Sequence, residues 1–480
     1  MEGWIGMLER LDSWLWGNCL VVLLAATGIF LTWRLRGLQF RTLVPALRMA
    51  FGRSKGSGVG DVSQFQSLMV ALAATMGMGS IAGVATAIAV GGLGALFWMA
   101  ILALLGMATK YAEAVLAVKY RTINADGQVS GGPMYYLGRG LGWKKMALFF
   151  AFFGALTALG TGNLVQANSV AEALHTGYGI ERWVTGLVLL SLVAVVILGG
   201  IRWIGRVSSV VVPVMALLYI GMGIIVICIH ADQLPAAMGL IVKCAFTGQA
   251  AVGGFIGSTF VMALQFGAAR GIFANESGLG SAPIAAAAAR TDMPGRQGLV
   301  SMTGTFLDTI VVCSITGLVI AVTQVLGQAG PDGTPITGVS MTMRAFSVIP
   351  FGTPLLTLAI FLFAYTTIIG WSYYGEKCME YMFGTRWVRP YRWLFTLAVL
   401  PGALLGLKLV WTLADITNGL MALPNLLGLL ALSGVVAHES RQFQRHVREE
   451  KLARRQPQPE LAVQAAAAVN TVMEPKRRQV

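Results

Sequence analysis

The chain has 480 residues, 56% of them hydrophobic and 12% charged, with a mean hydropathy of +0.70. A soluble domain carries about twice that charge, so the composition is that of a polytopic membrane protein and not of a soluble domain. The formal net charge of +14 does not make it a nucleic-acid binder: most Lys and Arg lie in short loops beside apolar spans and in the tail after Arg441, where they orient a chain in a membrane.

Residues 1–36 hold the first span, about Trp14 to Trp33. The N-terminus, MEGWIGMLERLDSW, lacks a basic leader and a small-residue cleavage site, so this run reads as a retained helix. Arg34, Arg36, Arg41, Arg48, Arg53 and Lys55 follow it, mark the cytoplasmic side and put the N-terminus outside. Residues 37–61 form a cytoplasmic interfacial segment, in which LQFRTLVPALRMAFG sets apolar side chains between arginines.

Residues 62–231 hold core helices 1–5. In the first, Ser67 to Val90, the glycines Gly77, Gly79 and Gly83 and the hydroxyls of Thr75, Ser80 and Thr86 interrupt an apolar run at mid-depth. Each helical glycine costs roughly 0.8–1 kcal/mol relative to alanine, and a broken turn frees backbone groups that hydrocarbon cannot satisfy. Two uses fit: close helix packing at small residues, or a cargo site where half-helix N-termini hold a carboxylate and unwound carbonyls hold Na⁺.

The return span, about Gly94 to Val118, carries Lys110 and Glu113 at i,i+3, a spacing that reads as a structural ion pair on one face. The span from Met146 to Ala173 brings Asn163, Gln166 and Asn168 to membrane depth, either to bond neighbouring helices or to line a polar cavity. Trp183–Ile201 and Ser208–Ile229 complete the half. Residues 232–252, poor in positive charge, read as an external loop.

Residues 253–436 hold core helices 6–10. The first stretch, Gly253 to Ala289, is far longer than the ~20 residues a span needs, and Gly267, Gly271, Gly278, Gly280 and Pro283 break it. Arg270, Asn275 and Glu276 sit in or just past its lower half, where a charge is costly and is normally paired or functional. Gly298–Val325 contains Asp308, and Pro354–Met382 contains Thr366, Thr367 and Trp371. Spans at about 391–409 and 411–436 bring in Asp415, Asn418 and Asn425. Residues 437–480 are a basic cytoplasmic tail with the composition of disordered chain.

Trp33, Trp143, Trp183, Trp203 and Trp387 fall near the expected interfaces, as belt residues do. The five cysteines form no CxxC pair, and His175, His230, His438 and His446 have no metal spacing and no partner for a nucleophile, so no enzymatic constellation is present. The sum is about eleven transmembrane helices in an all-α protein: one leader, then five and five of opposite orientation. Each five begins with a Gly-broken segment, which is the pattern of an inverted repeat with a midplane site.

The blocks ALAATMGMGSIAGVATAIAVGGLGALFW, GMATKYAEAVLAVKYR, GGPMYYL, GNLVQANSVAEA, FGAARGIFANESGLGSAPIAAAAARTD and DITNGLMALPNLL together resemble the alanine or glycine:cation symporters, over about residues 60 to 435. GIFANESGLGSAP is the most specific of them. The resemblance implies a LeuT-like 5+5 inverted repeat with one extra N-terminal helix in a bacterial inner membrane. It implies Na⁺-coupled uptake of small neutral amino acids, with Na⁺, the amino acid and membrane lipid as the only partners; no oligomeric state follows from it.

Residue by residue, it places Thr75, Gly77, Met78 and Gly79 in the unwound part of core helix 1, their N–H groups facing the substrate carboxylate. Phe266, Gly267 and Ala268 would form the matching break in core helix 6, and Gln166 and Trp371 would close the pocket. The carbonyls of Ala73 and Met76 and the hydroxyls of Thr366 and Thr367 would coordinate one Na⁺, a hard cation that takes oxygen ligands. The central motif reads Gly77-Met78-Gly79-Ser80 where the family has Gly-Thr-Gly-Asn, so Ser80 stands in place of an amide oxygen able to ligate an ion. Arg270, Glu276 and Asp308 read as gate or structural ion-pair residues, with Asp308 and Asp415 alternatively as proton relays. The competing readings are a proton-coupled transporter of another small amino acid, such as serine or glutamine, and a membrane sensor that binds an amino acid without moving it.

Overall fold

The structure, a computed structural model, describes residues 2–52, 58–250, 255–330, 333–405 and 407–455. Hydrocarbon offers no partner to backbone N–H and C=O groups, so a run of apolar residues can cross it only as a helix that satisfies its own backbone. Among the described residues seven helices are long and apolar enough to do so: Gly6–Arg34, Gly94–Lys119, Lys144–Tyr178, Gly200–Ile229, Pro294–Val322, Gly352–Phe383 and Val410–Ala431. The pair Gln64–Thr75 and Gly79–Gly91, bent by 51° at its break, makes an eighth. The strands Thr122–Ile123 and Val129–Ser130 form a two-residue antiparallel hairpin.

The helix Gly94–Lys119 is the axle of the molecule. It is buried along most of its length because small residues let its neighbours approach: a Cβ on Gly271 would lie 2.9 Å from Met99 Cγ, and one on Gly298 would lie 2.8 Å from the Tyr111 ring. At the periphery the logic reverses. Gly200–Ile229 exposes Val210, Val214, Leu217, Ile224 and Ile225, an apolar face suited to lipid, and all five tryptophans expected at the interfaces are exposed.

By length and apolarity alone, seven helices among the described residues, or eight with the bent pair, qualify as spans. Of the other three expected, Arg182–Ile197 has only 16 residues, Phe260–Asn275 stops at a break, and the segment after Arg386 is divided into Val388–Leu397 and Val399–Leu404. The first helix is longer than the run from Trp14, extending back through Gly6.

The segment 232–252 carries the helix Leu234–Thr247, because Ile241, Cys244 and Ala245 form an apolar face that packs at the N-terminal end of Gly94–Lys119. The basic tail begins as the helix Ser433–Arg455, not as disordered chain: Val436, Ser440 and Phe443 are buried on one face, and Glu439 pairs with Lys119 at 2.7 Å. Residues 456–480, together with Arg53, Lys55 and Gly253, lie outside the described residues.

Candidate functional site

The first break lies at Met76–Met78. Ser63 caps the incoming half-helix, accepting the Gln66 N–H at 3.1 Å while the Gln66 side chain accepts the Ser63 N–H at 3.0 Å. At its far end Met76 has a ψ of 78°, which turns its carbonyl out of the helical ladder, and Gly77 N–H closes a tight turn to Thr75 O at 2.8 Å. The outgoing half begins at Gly79 with a wide turn through Gly83.

Uncharged groups from three other segments meet this break. Gln166 Oε1 accepts the Met78 N–H at 3.3 Å while its Nε2 donates to Thr161 O at 3.0 Å, so the amide is oriented with its oxygen toward the break. Thr367 Oγ1 stands 3.0 Å from Ala73 O and 2.9 Å from Phe363 O. Gly77 is wedged between these two side chains: a Cβ there would lie 2.5 Å from Thr367 Oγ1 and 3.2 Å from Gln166 Oε1. Phe273 and Ala274 close on Gly79 from the other broken helix, each 3.0 Å from where its Cβ would be. All of these residues are buried, with Gln166 at 2% and Thr367 at 1% exposure.

The other expected members divide. Trp371 is buried with its side chain against Gly162, in the turn before Gln166, and its indole stands near the Glu276 carboxylate. Thr366 turns away, its hydroxyl 3.0 Å from Phe363 O and 3.4 Å from Met215 Sδ. Ser80 also leaves this group and donates to Asp308 Oδ1 at 2.5 Å, while Thr309 donates to Asp308 Oδ2 at 2.9 Å. Of the three mid-depth amides, Asn163 and Asn168 bond the backbone of neighbouring segments, at Phe395 O and at Gly402 O and Leu405 O. Gln166 alone faces the break.

The second break is not at Phe266, Gly267 and Ala268. Those residues lie inside the continuous helix Phe260–Asn275, and the interruption runs from Glu276 to Ser281, before the short helix Ala282–Ala287. A glycine at roughly 1 kcal/mol weakens a helix without breaking it when packing compensates, and here it does: a Cβ on Gly267 would strike the Ala95 carbonyl. Gly267 and Gly271 are therefore a small-xxx-small packing seam. What ends the helix is Glu276, in the left-handed conformation with φ 55°, followed by Gly278 and Gly280 at φ 93° and 86°.

Both loose ends of this break are held by Lys110 and Glu113. Lys110 Nζ donates to Asn275 O at 2.8 Å, placing a cation on the negative end of the incoming half-helix. Glu113 Oε1 accepts the N–H groups of Gly278 and Gly280, each at 3.1 Å, and the Asn425 amide at 2.7 Å. The i,i+3 spacing thus serves two ends of another helix, rather than a pair on one face. Glu276 bonds Ser281 within the break itself, at 2.5 Å. Arg270 pairs across helices with Asp415 at 2.9 Å and lies over the rings of Phe273 and Trp411, 5.7 and 5.5 Å from their centroids. Asp415 is accordingly half of an ion pair.

Two helix breaks thus pack against each other, one finished by neutral groups and one by charged side chains. The sequence model of the sodium:alanine symporter family matches residues 1–457. The chain belongs to that family. It is accordingly a multi-pass membrane transporter and not an enzyme. Among its relatives in the sodium:alanine symporter family, the sodium/alanine symporter AgcS of Methanococcus maripaludis is 51% identical over 445 residues, 92% of this chain and 97% of AgcS. The probable sodium/glutamine symporter GlnT of Bacillus subtilis is 38% identical over 427 residues, 88% of this chain and 87% of GlnT. The crystal structure of MhsT in complex with L-phenylalanine matches with a TM-score of 0.57 at 13% identity, covering 80% of this chain and 92% of MhsT. That likeness is one of fold, and the fold is LeuT-like.

Proposed function

We propose that the chain carries alanine or glycine inward together with Na⁺, binding both at the Met76–Met78 break. The observation that carries this reading is the convergence of the Gln166 amide, the Thr367 hydroxyl and the Ala73 carbonyl on one unwound segment. In this reading the substrate carboxylate sits at the N-terminal end of the half-helix that starts at Gly79, taking over the Met78 N–H from the neutral Gln166 amide where the helix dipole favours an anion. Thr75, Gly77 and Met78 shape the floor, and Gln166 and Trp371 the wall. Phe273 and Ala274, against Gly79, supply the surface expected of Phe266, Gly267 and Ala268.

The carbonyls of Ala73 and Met76 and the hydroxyl of Thr367 offer the oxygen donors a Na⁺ needs, and Thr366 joins them only on rotating from Met215. A carboxylate and a cation held side by side in low dielectric raise each other's affinity, and that reciprocity is the coupling. Glu276 with Ser281 and Arg270 with Asp415 flank the second break as structural or gating contacts.

Across the membrane the proposed arrangement has eleven crossings. To the eight long or bent helices it adds Arg182–Ile197, the broken segment Phe260–Asn275 with Ala282–Ala287, and the divided segment Val388–Leu397 with Val399–Leu404. One leading helix then precedes two inverted sets of five, with the N-terminus outside and the C-terminus in the cytoplasm of a bacterial cell; alternating access is rocking of one bundle against the other about the breaks. Proton coupling is the second reading, favoured by Asp308, a fully buried carboxylate that bonds Ser80 beside the first break.

Uptake of radiolabelled L-alanine into proteoliposomes of the purified chain separates these. Accumulation under an inward Na⁺ gradient that collapses when K⁺ replaces Na⁺ is the expected outcome. Accumulation that ignores Na⁺ and follows a pH gradient supports the second reading, and alanine binding without accumulation supports a sensor.

A further inference from the structure

We propose that the groove where the first helix, the helix Leu38–Phe51 and the C-terminal helix Ser433–Arg455 meet binds the phosphate headgroup of an anionic phospholipid. The groove encloses a cavity of about 420 Å³ lined by Arg34, Arg36 and Arg41 from the N-terminal segment and Arg441 from the C-terminal helix, with Trp33 and Ser440 beside them. None of the four arginines joins an ion pair among the described residues. Of the three acids of the C-terminal helix, Glu439 pairs with Lys119 at 2.7 Å and Glu450 with Arg296 at 3.6 Å, and Glu449, two turns beyond Arg441, is not part of the cavity lining. Four guanidinium groups around one cavity with no carboxylate in its lining repel one another unless an anion enters, and guanidinium forks match phosphate oxygens.

Backbone and surface point the same way. Arg36 holds φ 56° ahead of Gly37 at φ 62°, a turn that brings Arg36 and Arg41 to the same cavity although a non-glycine residue is strained in that left-handed conformation. The adjoining outer surface is apolar and open: Trp33 is 72% exposed, Phe40 58% and Val44 59%. Phe40 and Val44 lie one turn apart on a helix at the end of a membrane span, the position of an interfacial helix that faces acyl chains. A free phosphate has no use for that surface, whereas a lipid places its phosphate among the arginines and its tails along the indole and the phenyl ring. Since Arg441 belongs to the C-terminal helix, the lipid would tie that helix to the first span, a role the transport site does not give it.

The test is the melting temperature of the full chain in detergent, titrated separately with phosphatidylglycerol, phosphatidylcholine and inorganic phosphate. Phosphatidylglycerol is expected to raise it saturably, with the half-maximal concentration rising about thirtyfold in Arg36→Ala/Arg441→Ala, from roughly 1 kcal/mol for each of the two arginines removed from an anionic surface. Arg202→Ala, an exposed arginine on another helix, is expected to respond like the parent. Equal stabilisation by phosphatidylcholine, or an unchanged response of the double variant, overturns the proposal. An equal shift with inorganic phosphate at matched concentration assigns the groove to a free anion and overturns the lipid. If the double variant does not elute as a folded species, Arg441→Gln alone, on an exposed helical position, carries the same comparison.

Discussion

The two helix breaks solve one problem, the satisfaction of freed backbone groups away from water, with opposite chemistry. At Glu276–Ser281 the loose ends are met by full charges, the Lys110 ammonium on Asn275 O and the Glu113 carboxylate on the N–H groups of Gly278 and Gly280. At Met76–Met78 they are met by a neutral amide and a hydroxyl. Hydrogen bonds to charged groups contribute about 1.5–3 kcal/mol and neutral ones about 1, so the first arrangement is closed and the second is exchangeable. A cargo carrying its own carboxylate and its own cation can replace Gln166 and Thr367 as partners of the first break. It has nothing to displace at the second.

The largest expected effect comes from opening the closed break. Glu113→Ala strands two buried N–H groups and the Asn425 amide, and should cost about 3–5 kcal/mol, as removal of one member of a buried charged network does. Its readout is a collapse of the melting temperature in detergent; a variant that melts like the parent would mean that this break is held by something else.

At the exchangeable break the expected loss is of function with the fold kept. Gly77→Val pushes side-chain atoms into Thr367 and Gln166 and should lower alanine uptake about a hundredfold, the scale of an ångström-level misplacement in a binding site. Normal uptake by a well-folded Gly77→Val would remove Gly77 from the site. Thr367→Ala removes one oxygen donor and should weaken apparent Na⁺ affinity about tenfold, roughly 1.4 kcal/mol, with the order of preference among amino acids unchanged. An unchanged Na⁺ dependence would withdraw Thr367 as an ion ligand.

The smallest effect on substrate binding sharpens the boundary between packing and site. Gly267→Ala drives a methyl into the Ala95 carbonyl oxygen and should cost about 3 kcal/mol of stability through overpacking, with alanine affinity of the folded protein unaffected. Loss of binding without loss of stability would move the site back to residues 266–268.

Much of the first break was legible in the chain. Thr75 and Gly77 could be picked out because glycines and hydroxyls at mid-span are costly in hydrocarbon and so point to a use, whereas the same cost marked Asn163, Gln166 and Asn168, and Thr366 and Thr367, alike, and only the family resemblance singled out Gln166 and assigned the two threonines to an ion. The same rule misled at Gly267, where cost is offset by close approach to Ala95, and it placed Lys110 and Glu113 opposite each other when their partners lie on another helix. A signal for the true second break was present in the run from Asn275 to Ser281, where a buried acid is followed by two glycines two residues apart. Left-handed turns are bought with such residues, but their spacing does not say which of several glycines in a helix does the turning.

Composition and apolar run length by themselves determined that this chain crosses a membrane as helices, since a bilayer admits only helices and closed β-barrels, and barrel strands alternate apolar and polar residues instead of running apolar for about twenty. The interrupted run around Gly77 likewise followed from local chemistry, because a break and its polar neighbours lie within a few residues of each other. Only the tertiary structure decided which charge meets which helix end, that Ser80 belongs with Asp308, and that the start of the basic tail is a packed helix. Those outcomes rest on contacts between residues more than a hundred positions apart, such as Lys110 with Asn275 and Lys119 with Glu439. A linear pattern reports what a side chain can do, and the packing of distant helices selects the partner.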